Sequence, residues 1–304
     1  MNSRTFIILL NWNGKEDTLA CLKSLEKVTT PHKVVVVDNG STDGSVEAFS
    51  QTDAHLIETG ENLGYAEGNN VGIRYALEQG ADTIFILNND TTVEPDILEG
   101  FLKRDIPIQG GAAHLMDHPH FLDHLGGNWN ATKGSFDLVG ARAPAGEWTT
   151  PMALDYVCGV ALFVKAQVFR DVGLFDPRFF LFWEESDWCF RAKKKGYTIT
   201  TCPEAKLYHK VSASFTGGKP HTSYFWWRNR LLWIEKNCPN SPLKWKVIKE
   251  ALHILKLYLL KSLQYPFSKK TPERRLRLRT YCAVLLGVRD YFLRRFGAGQ
   301  GNLS

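Results

Sequence analysis

The sequence predicts an α/β fold: a mostly parallel sheet flanked by helices, followed by C-terminal amphipathic helices. Three observations predict it. Strand-like and helix-like segments alternate four times within the first ninety residues, the rhythm of right-handed βαβ crossovers. Phe85-Ile-Leu-Asn-Asn-Asp90 is an apolar run that stops in a polar triplet, as a strand buried on both faces does. Polar residues also gather at the ends of the other apolar runs, where open α/β sheets bind ligands.

The elements follow in order. Residues 5–10 form a strand ending in Asn11-Trp-Asn-Gly14, and 17–27 form a helix with Leu19, Leu22 and Leu25 on its apolar side. The β-branched run 32–37 ends at Asp38 and enters the turn-rich Asn39-Gly-Ser-Thr-Asp-Gly-Ser45. A short helix at 46–49 precedes a strand at 55–57. Residues 66–79 form a helix closed by Gly80, and 83–87 form the next strand. Residues 110–140, with scattered Gly, His and aromatics, carry no periodicity that assigns elements. Residues 155–164 read as one strand with a small-residue centre, in which Gly159 marks either a bulge or a close ligand approach. A helix at 165–172, an aromatic loop at 173–183 and a helix at 185–195 follow. Gly217-Gly218 marks a loop, 224–233 an aromatic helix, and two basic amphipathic helices start at Leu243 and Glu273.

With 304 residues, 44% hydrophobic and 23% charged, the chain has soluble-globular composition and room for one large domain or two small ones. No two of its six cysteines (Cys21, Cys158, Cys189, Cys202, Cys238, Cys282) stand in Cys-x-x-Cys spacing. They read as small buried hydrophobes in a reducing compartment. Residues 6–10 are too short an apolar stretch for a signal peptide, and no run is long enough to span a bilayer. The net charge of +5 is concentrated at the C-terminal end, which points to an anionic partner there; no nucleic-acid partner is expected.

The first strand is not followed by Gly-x-Gly-x-x-Gly, and the chain has no Gly-x-x-x-x-Gly-Lys-Ser/Thr, so neither a dinucleotide fold nor a P-loop is expected. Asn11, Asp38 and Asn88-Asn89-Asp90 fall at neighbouring strand ends; Asp38 alone fits a turn cap as well as a ligand contact, and Asp43 reads as a turn residue. His114, His118, His120 and His124 match no zinc spacing and read as surface-loop histidines. Glu184, Glu185 and Asp187 suit the dipole at a helix start, and His209 in isolation reads as a core histidine.

Several segments, in this order, resemble the family 2 glycosyltransferases of the bacterial rhamnosyltransferase-like type. They are Ile8-Leu-Leu-Asn-Trp-Asn-Gly14, Val35-Val-Val-Asp-Asn-Gly-Ser-Thr-Asp-Gly-Ser45, Glu61-Asn-Leu-Gly-Tyr-Ala-Glu-Gly-Asn-Asn70, Leu87-Asn-Asn-Asp90, Gly173-Leu-Phe-Asp-Pro-Arg-Phe-Phe180, Trp183-Glu-Glu-Ser-Asp187 and Tyr208-His209. The match covers roughly residues 4–235. The resemblance implies a GT-A domain over 1–240, with a nucleotide half at about 1–115 and an acceptor half at about 116–240, and a basic helical tail at 241–304. It implies that Asp38 accepts a hydrogen bond from a uracil or thymine imide, and that Asn11, Asn62, Gly64, Asn69, Asn88 and Asn89 line the nucleotide. Asn88-Asn89-Asp90 stands at the family's Asp-x-Asp position. Only its last residue is acidic, which suits a Mg or Mn ion held by one carboxylate plus substrate phosphates. His209 matches the histidine that meets metal or diphosphate.

Glu185 stands where most of the family has Asp and would be the base of an inverting displacement, with Glu184 as fallback and Asp187 beside them. The partners implied are a nucleoside-diphosphate sugar (dTDP- or UDP-linked) and a glycan or lipid-linked acceptor. The tail helices read as lying on an anionic membrane surface at the inner face of the cytoplasmic membrane, the competing account being packing on the domain or on a second copy in a homodimer. A non-catalytic sugar-nucleotide or glycan-binding protein would keep Asp38 but need neither Glu185 nor His209. A nucleotidyltransferase would want a glycine-rich phosphate loop that Asn11-Trp-Asn-Gly14 does not supply.

Overall fold

A computed structural model describes residues 4–211, 219–264 and 272–299. The expected Gly217-Gly218 loop and the Arg274 side chain lie outside what is described. Two compact units emerge: Met1–Asn128, Phe136–Pro177 and Glu184–Val211 form the first, and Trp129–Ser135, Arg178–Trp183 and the described part of Ser212–Ser304 the second. This differs from a division at residue 240, because the helices beyond 240 share one unit with the aromatic helix before them.

The first unit opens with β1 (Thr5–Asn11), α1 (Lys15–Leu25), β2 (His32–Asp38), α2 (Ser45–Phe49), β3 (His55–Glu58), α3 (Gly64–Glu78) and β4 (Thr83–Asn88). These strands lie parallel in the order β3-β2-β1-β4. Alternate residues of β1 enter opposite cores: Phe6 and Ile8 pack with Val35, Val37, Ile84 and Ile86, whereas Ile7 and Leu9 pack with Val36, Phe85 and Leu87. That is why these strands read as continuous apolar runs. Gly72 lets α3 lie close on the sheet, since a Cβ there would stand 2.6 Å from Ile8 Cγ2.

The segment that sequence periodicity left unassigned is largely β structure. After β5 (Thr91–Val93) and α4 (Ile97–Leu102) come β6 (Ile108–Leu115), β7 (His118–Leu122), β8 (Gly126–Asn130) and β9 (Ser135–Val139). The strand expected at 155–164 is two, β10 (Tyr156–Val157) and β11 (Ala161–Lys165), parted at Cys158-Gly159-Val160. The unit continues with α5 (Ala166–Val172), α6 (Glu184–Lys194) and β12 (Ile199–His209), a strand that alternation failed to reveal. The large sheet extends as β4-β11-β6-β12-β5 with β7 on β6, and a small sheet runs β10-β8-β9. β11 is antiparallel to both its neighbours, so the sheet is parallel on one side and mixed on the other.

The second unit contains α7 (Pro220–Asn237), α8 (Leu243–Gln264) and α9 (Pro272–Phe292). Its centre is Arg228, fully buried, which donates to the carbonyls of Arg178, Phe179 and Gly297 at 3.1, 3.0 and 2.7 Å. Asn229 donates to Phe179, Leu181 and Phe182 carbonyls at 2.6, 2.7 and 3.0 Å. Together they collect the carbonyls of a loop in which Phe180, Phe182 and Trp183 take φ of 63°, 67° and 76°. Left-handed backbone at bulky residues is held only where surroundings over-determine it. α9 is part of the same core: Tyr224 donates to buried Asp290 at 2.8 Å, and Ala283 and Val284 face inward. No helix among the described residues is long and apolar enough to cross a membrane.

Candidate active site

The polar strand ends meet on one edge of the first unit. In register, Asn11 stands beside Asp38, and Leu10 beside Asn88. Asn11 is fully buried, and its amide nitrogen approaches Asp38 Oδ2 at 2.8 Å and the hydroxyls of Ser41 and Ser45 at 3.0 Å each. Its Oδ1 accepts from Thr18 at 2.8 Å and Asn89 at 3.2 Å. Both polar atoms of the Asn11 side chain thus have partners inside the protein, and they position Asp38 and Asn89. Asp38 Oδ1 accepts from the Ser41 amide at 2.9 Å. Asn39 bridges this turn to α3, donating to Asn62 Oδ1 at 3.1 Å and Gly64 O at 3.2 Å, while Gly64 N donates to Asn62 Oδ1 at 2.9 Å. Asn69 is buried and donates to the Tyr65 carbonyl at 2.9 Å, a bond within its own helix. Asn88 and Asn89 are half-buried at the edge.

β12 brings His209 to this edge opposite β5, pairing it with Thr91. The Lys210 amide donates to the Asp90 carbonyl at 2.9 Å. His209 Nε2 lies 3.2 Å from Asp90 Oδ1, an ion-pair distance between two buried side chains. Its Nδ1 donates to Asp123 Oδ2 at 2.9 Å. In the protein alone, burial pulls the imidazole down, but the Asp123 hydrogen bond and the Asp90 carboxylate outweigh it and raise it to about 10. A buried ring nitrogen this close to a carboxylate oxygen fits a divalent ion. Two ligands of one octahedral ion, each bonded at about 2.1 Å, stand about 3 Å apart. Among the described residues no group of three or more His, Cys, Asp or Glu converges as a metal cage, so such an ion would draw its remaining ligands from substrate or water.

The carboxylates at the start of α6 separate by function. Asp187 lies about 200° around the helix from Glu185. Its carboxylate is fully buried and accepts from Arg191 Nε at 3.0 Å, and Arg191 in turn donates to the carbonyls of Val172 and Leu174. Asp187 thus braces the helix against the preceding loop through Arg191. Glu185 differs: its Oε2 is out of solvent and has no partner. Burial raises its carboxyl, against the backbone N–H groups at the helix start and the His124 ring, which lower it. A Cβ added to Gly159 would stand 3.2 Å from the Tyr65 hydroxyl and 3.6 Å from Glu185 Cγ, so the break between β10 and β11 opens the space in front of both. Tyr65 donates to Gly159 O at 2.9 Å and Asn88 Oδ1 at 3.3 Å; burial and then the Glu185 charge keep its phenol well above the ordinary range.

Three residues here were missed in the sequence. His124 is not a surface-loop histidine: its Nε2 is 3.3 Å from Cys158 Sγ, and burial pushes its ring below the ordinary value. Asp123 and Tyr65 had no signal beyond residue type; the partner of each is far away in sequence.

The sheet and its flanking helices have the architecture of the GT-A glycosyltransferases. Residues 6–105 match the family model described as glycosyl transferase family 2. The chain is 25% identical over 255 residues to the dTDP-rhamnosyl transferase RfbF of Shigella flexneri, covering 78% of this chain and 82% of that protein. It is 27% identical over 254 residues to an N-acetylglucosaminyl-diphospho-decaprenol L-rhamnosyltransferase of Mycobacterium tuberculosis, covering 70% and 82%. Among solved structures, the mannosyltransferase PcManGT of Pyrobaculum calidifontis, in complex with GDP-Man and Mn2+, superposes with a TM-score of 0.58 at 15% identity, covering 97% of this chain and 88% of that one. Residues 6–105 thus carry a family 2 glycosyltransferase domain, and the chain is similar over most of its length to glycosyltransferases.

Proposed function

We propose that the protein is an inverting glycosyltransferase. It moves a sugar, rhamnose first among the candidates, from a dTDP- or UDP-linked donor to a hydroxyl of a glycan or lipid-linked glycan acceptor in cell-surface polysaccharide synthesis. The observation that carries the reading is Glu185 Oε2, a buried carboxylate oxygen without a partner, in the unit whose strand ends hold Asp38, Asp90 and His209. The names of the Shigella and mycobacterial relatives support the donor and the lipid-linked acceptor.

Asp38, fixed by Asn11 and Ser41, accepts the base imide. Asn62, Gly64, Asn88 and Asn89 border the nucleotide. Asp90 and His209 would hold a Mg or Mn ion, which when bound neutralises charge on the leaving diphosphate. Glu185 takes the proton of the acceptor hydroxyl as its oxygen bonds to the anomeric carbon and the bond to the diphosphate oxygen breaks. One displacement inverts the anomeric centre. A raised carboxyl suits this work, because a base is most effective when its pKa approaches the working pH.

The second unit supplies the means to meet a lipid-linked acceptor at the inner face of the cytoplasmic membrane. On α8, Trp245, Lys249, Leu252 and Lys256 recur at spacings of four, three and four and are all exposed, while Leu243, Val247 and Ala251 face inward. On α9, Arg275-Leu-Arg-Leu-Arg279 is exposed throughout. Exposed Trp and Leu among basic residues suit an anionic lipid surface.

The test is a thermal-shift series with dTDP- and UDP-sugars, with and without Mg or Mn, on the wild type, Asp90→Ala and His209→Ala, followed by product analysis for anomeric configuration. Donor stabilisation that needs metal in the wild type and is lost in both variants is expected. A wild type that binds donor yet transfers to no acceptor would make it a binding protein; a retained anomeric configuration would end the single-displacement mechanism.

A further inference from the structure

We propose that Asp123 is the positioning residue of the His209 site: it fixes which ring nitrogen faces Asp90, and so sets metal affinity without touching the metal. The proposal rests on the reading that Asp90 and His209 hold a divalent ion.

An imidazole can meet a metal through either nitrogen, and only the nitrogen without a proton can bind. A ring free to turn about its side-chain bonds would spend part of its time presenting a C–H or an N–H to the ion. Here the ring has no such freedom. His209 is buried at the end of β12, and its Nδ1–H is held by Asp123 Oδ2 at 2.9 Å. With Nδ1 so engaged, Nε2 stands 3.2 Å from Asp90 Oδ1. A carboxylate behind a ligating histidine fixes the tautomer, orients the ring and increases the basicity of the far nitrogen.

Asp123 is itself held on both sides of its main chain. Its amide donates to the Ala113 carbonyl at 2.8 Å, and its carbonyl accepts from the Arg142 amide at 3.1 Å. It follows directly on β7, which pairs with β6, and β6 pairs in parallel with β12 so that Leu115 stands beside His209. The distance between the Asp123 carboxylate and the histidine ring is therefore set by a hydrogen-bonded ladder. The same ladder brings His209 against Thr91, next to Asp90. The side chain of Asp123 is only 14% exposed, so water competes weakly for its oxygens. A bystander carboxylate at a sheet edge would turn to solvent.

A purely structural Asp123 would alter stability and leave metal affinity alone, and the two are separable. Full-length protein stripped of metal is titrated calorimetrically with Mn2+ in the presence of saturating UDP, and separately of dTDP. Wild type, Asp123→Asn, Asp123→Ala, His209→Ala and the Asp123→Ala/His209→Ala pair are compared, with a thermal melt of each. The expected loss of Mn2+ affinity for Asp123→Ala is about 10- to 100-fold. Asp123→Asn, which keeps an acceptor but no charge, loses less. The double variant binds no worse than His209→Ala, because Asp123 acts only through that ring. Uridine and thymidine affinities stay unchanged. If Asp123→Ala folds poorly, Asp123→Asn, which preserves shape, decides between loss and no loss. The proposal is overturned by Mn2+ affinity within twofold of wild type in the Asp123 variants while His209→Ala loses it, or by additive losses in the double variant. Wild-type affinity in His209→Ala overturns it together with the metal assignment, and so marks failure of the underlying reading.

Discussion

Replacing Glu185 by Gln isolates the base from everything else at the site. The amide has the size of the carboxylic acid, and the oxygen that would do the chemistry has no protein partner, so no ion pair is broken. The folded state should lose nothing, since a buried carboxylate exchanged for a neutral group removes a desolvation cost. Thermal midpoints should be equal or slightly higher, and donor affinity should stay within about twofold. The catalytic loss follows from the worth of a positioned base, about 10²- to 10⁴-fold, or about 3–5 kcal/mol of barrier. The pH profile gives a second reading. A group whose carboxyl is raised by burial is protonated, and useless as a base, over a wider acid range than an ordinary glutamate. Wild-type kcat should therefore rise with pH through a value above the usual carboxylate range, and Glu185→Gln should lack that limb. The assay is single-turnover transfer, with donor in excess over enzyme excluded, from pH 4 to pH 9 in steps of about half a unit. Turnover of Glu185→Gln within tenfold of wild type, or a preserved acid limb, refutes the reasoning. Collapse in Glu184→Gln with near-normal Glu185→Gln moves the base by one residue.

Two further outcomes are expected. Arg228→Ala leaves the carbonyls of Arg178 and Gly297 without their buried donor, while Phe179 keeps Asn229, and should cost about 2–6 kcal/mol in denaturant unfolding, at roughly 1–3 kcal/mol per orphaned group; a loss below about 1 kcal/mol would mean that the loop carries itself. Replacing Lys249, Lys256, Arg275, Arg277 and Arg279 by Gln should weaken binding to anionic liposomes by about 1 kcal/mol per residue, and added salt should weaken the wild type in the same direction. Unchanged sedimentation with lipid, accompanied by loss of a dimer, would assign the face to a second copy of the chain.

Legibility in the sequence followed the physics of each element. β1, β2, β4 and α6 were readable because strands buried on both faces and a helix with acidic start and basic end each leave a local signature. β12 was not, because Pro203, Glu204 and Lys206 interrupt its apolar alternation where the ladder with β6 slips register. β6 to β9 hid behind glycines, which the packing of neighbouring strands requires: a Cβ on Gly110 would meet Val157 Cβ at 2.5 Å. Within the site, Asp38, Asp90 and Glu185 stood out as carboxylates at element ends. The partner of His209 did not, because Asp123 reaches it through two strand pairings. The three acids at the start of α6 look alike in the sequence until the helix assigns each a face.

The strand order bears on how the chain can be made. β11 lies between β4 and β6, and β12 lies between β6 and β5. Each interior position is thus filled by a strand that leaves the ribosome after both its neighbours. Until about residue 165 has emerged, β4 has an open edge with unpaired N–H and C=O groups, and β5 and β6 have no common partner until β12 arrives. Open edges of this kind are templates for wrong pairing. A fragment holding only the nucleotide-facing strands should therefore come out of translation as aggregate instead of a small nucleotide-binding domain, and a nonsense codon before β12 would leave a chain for the proteases, not a weakened enzyme.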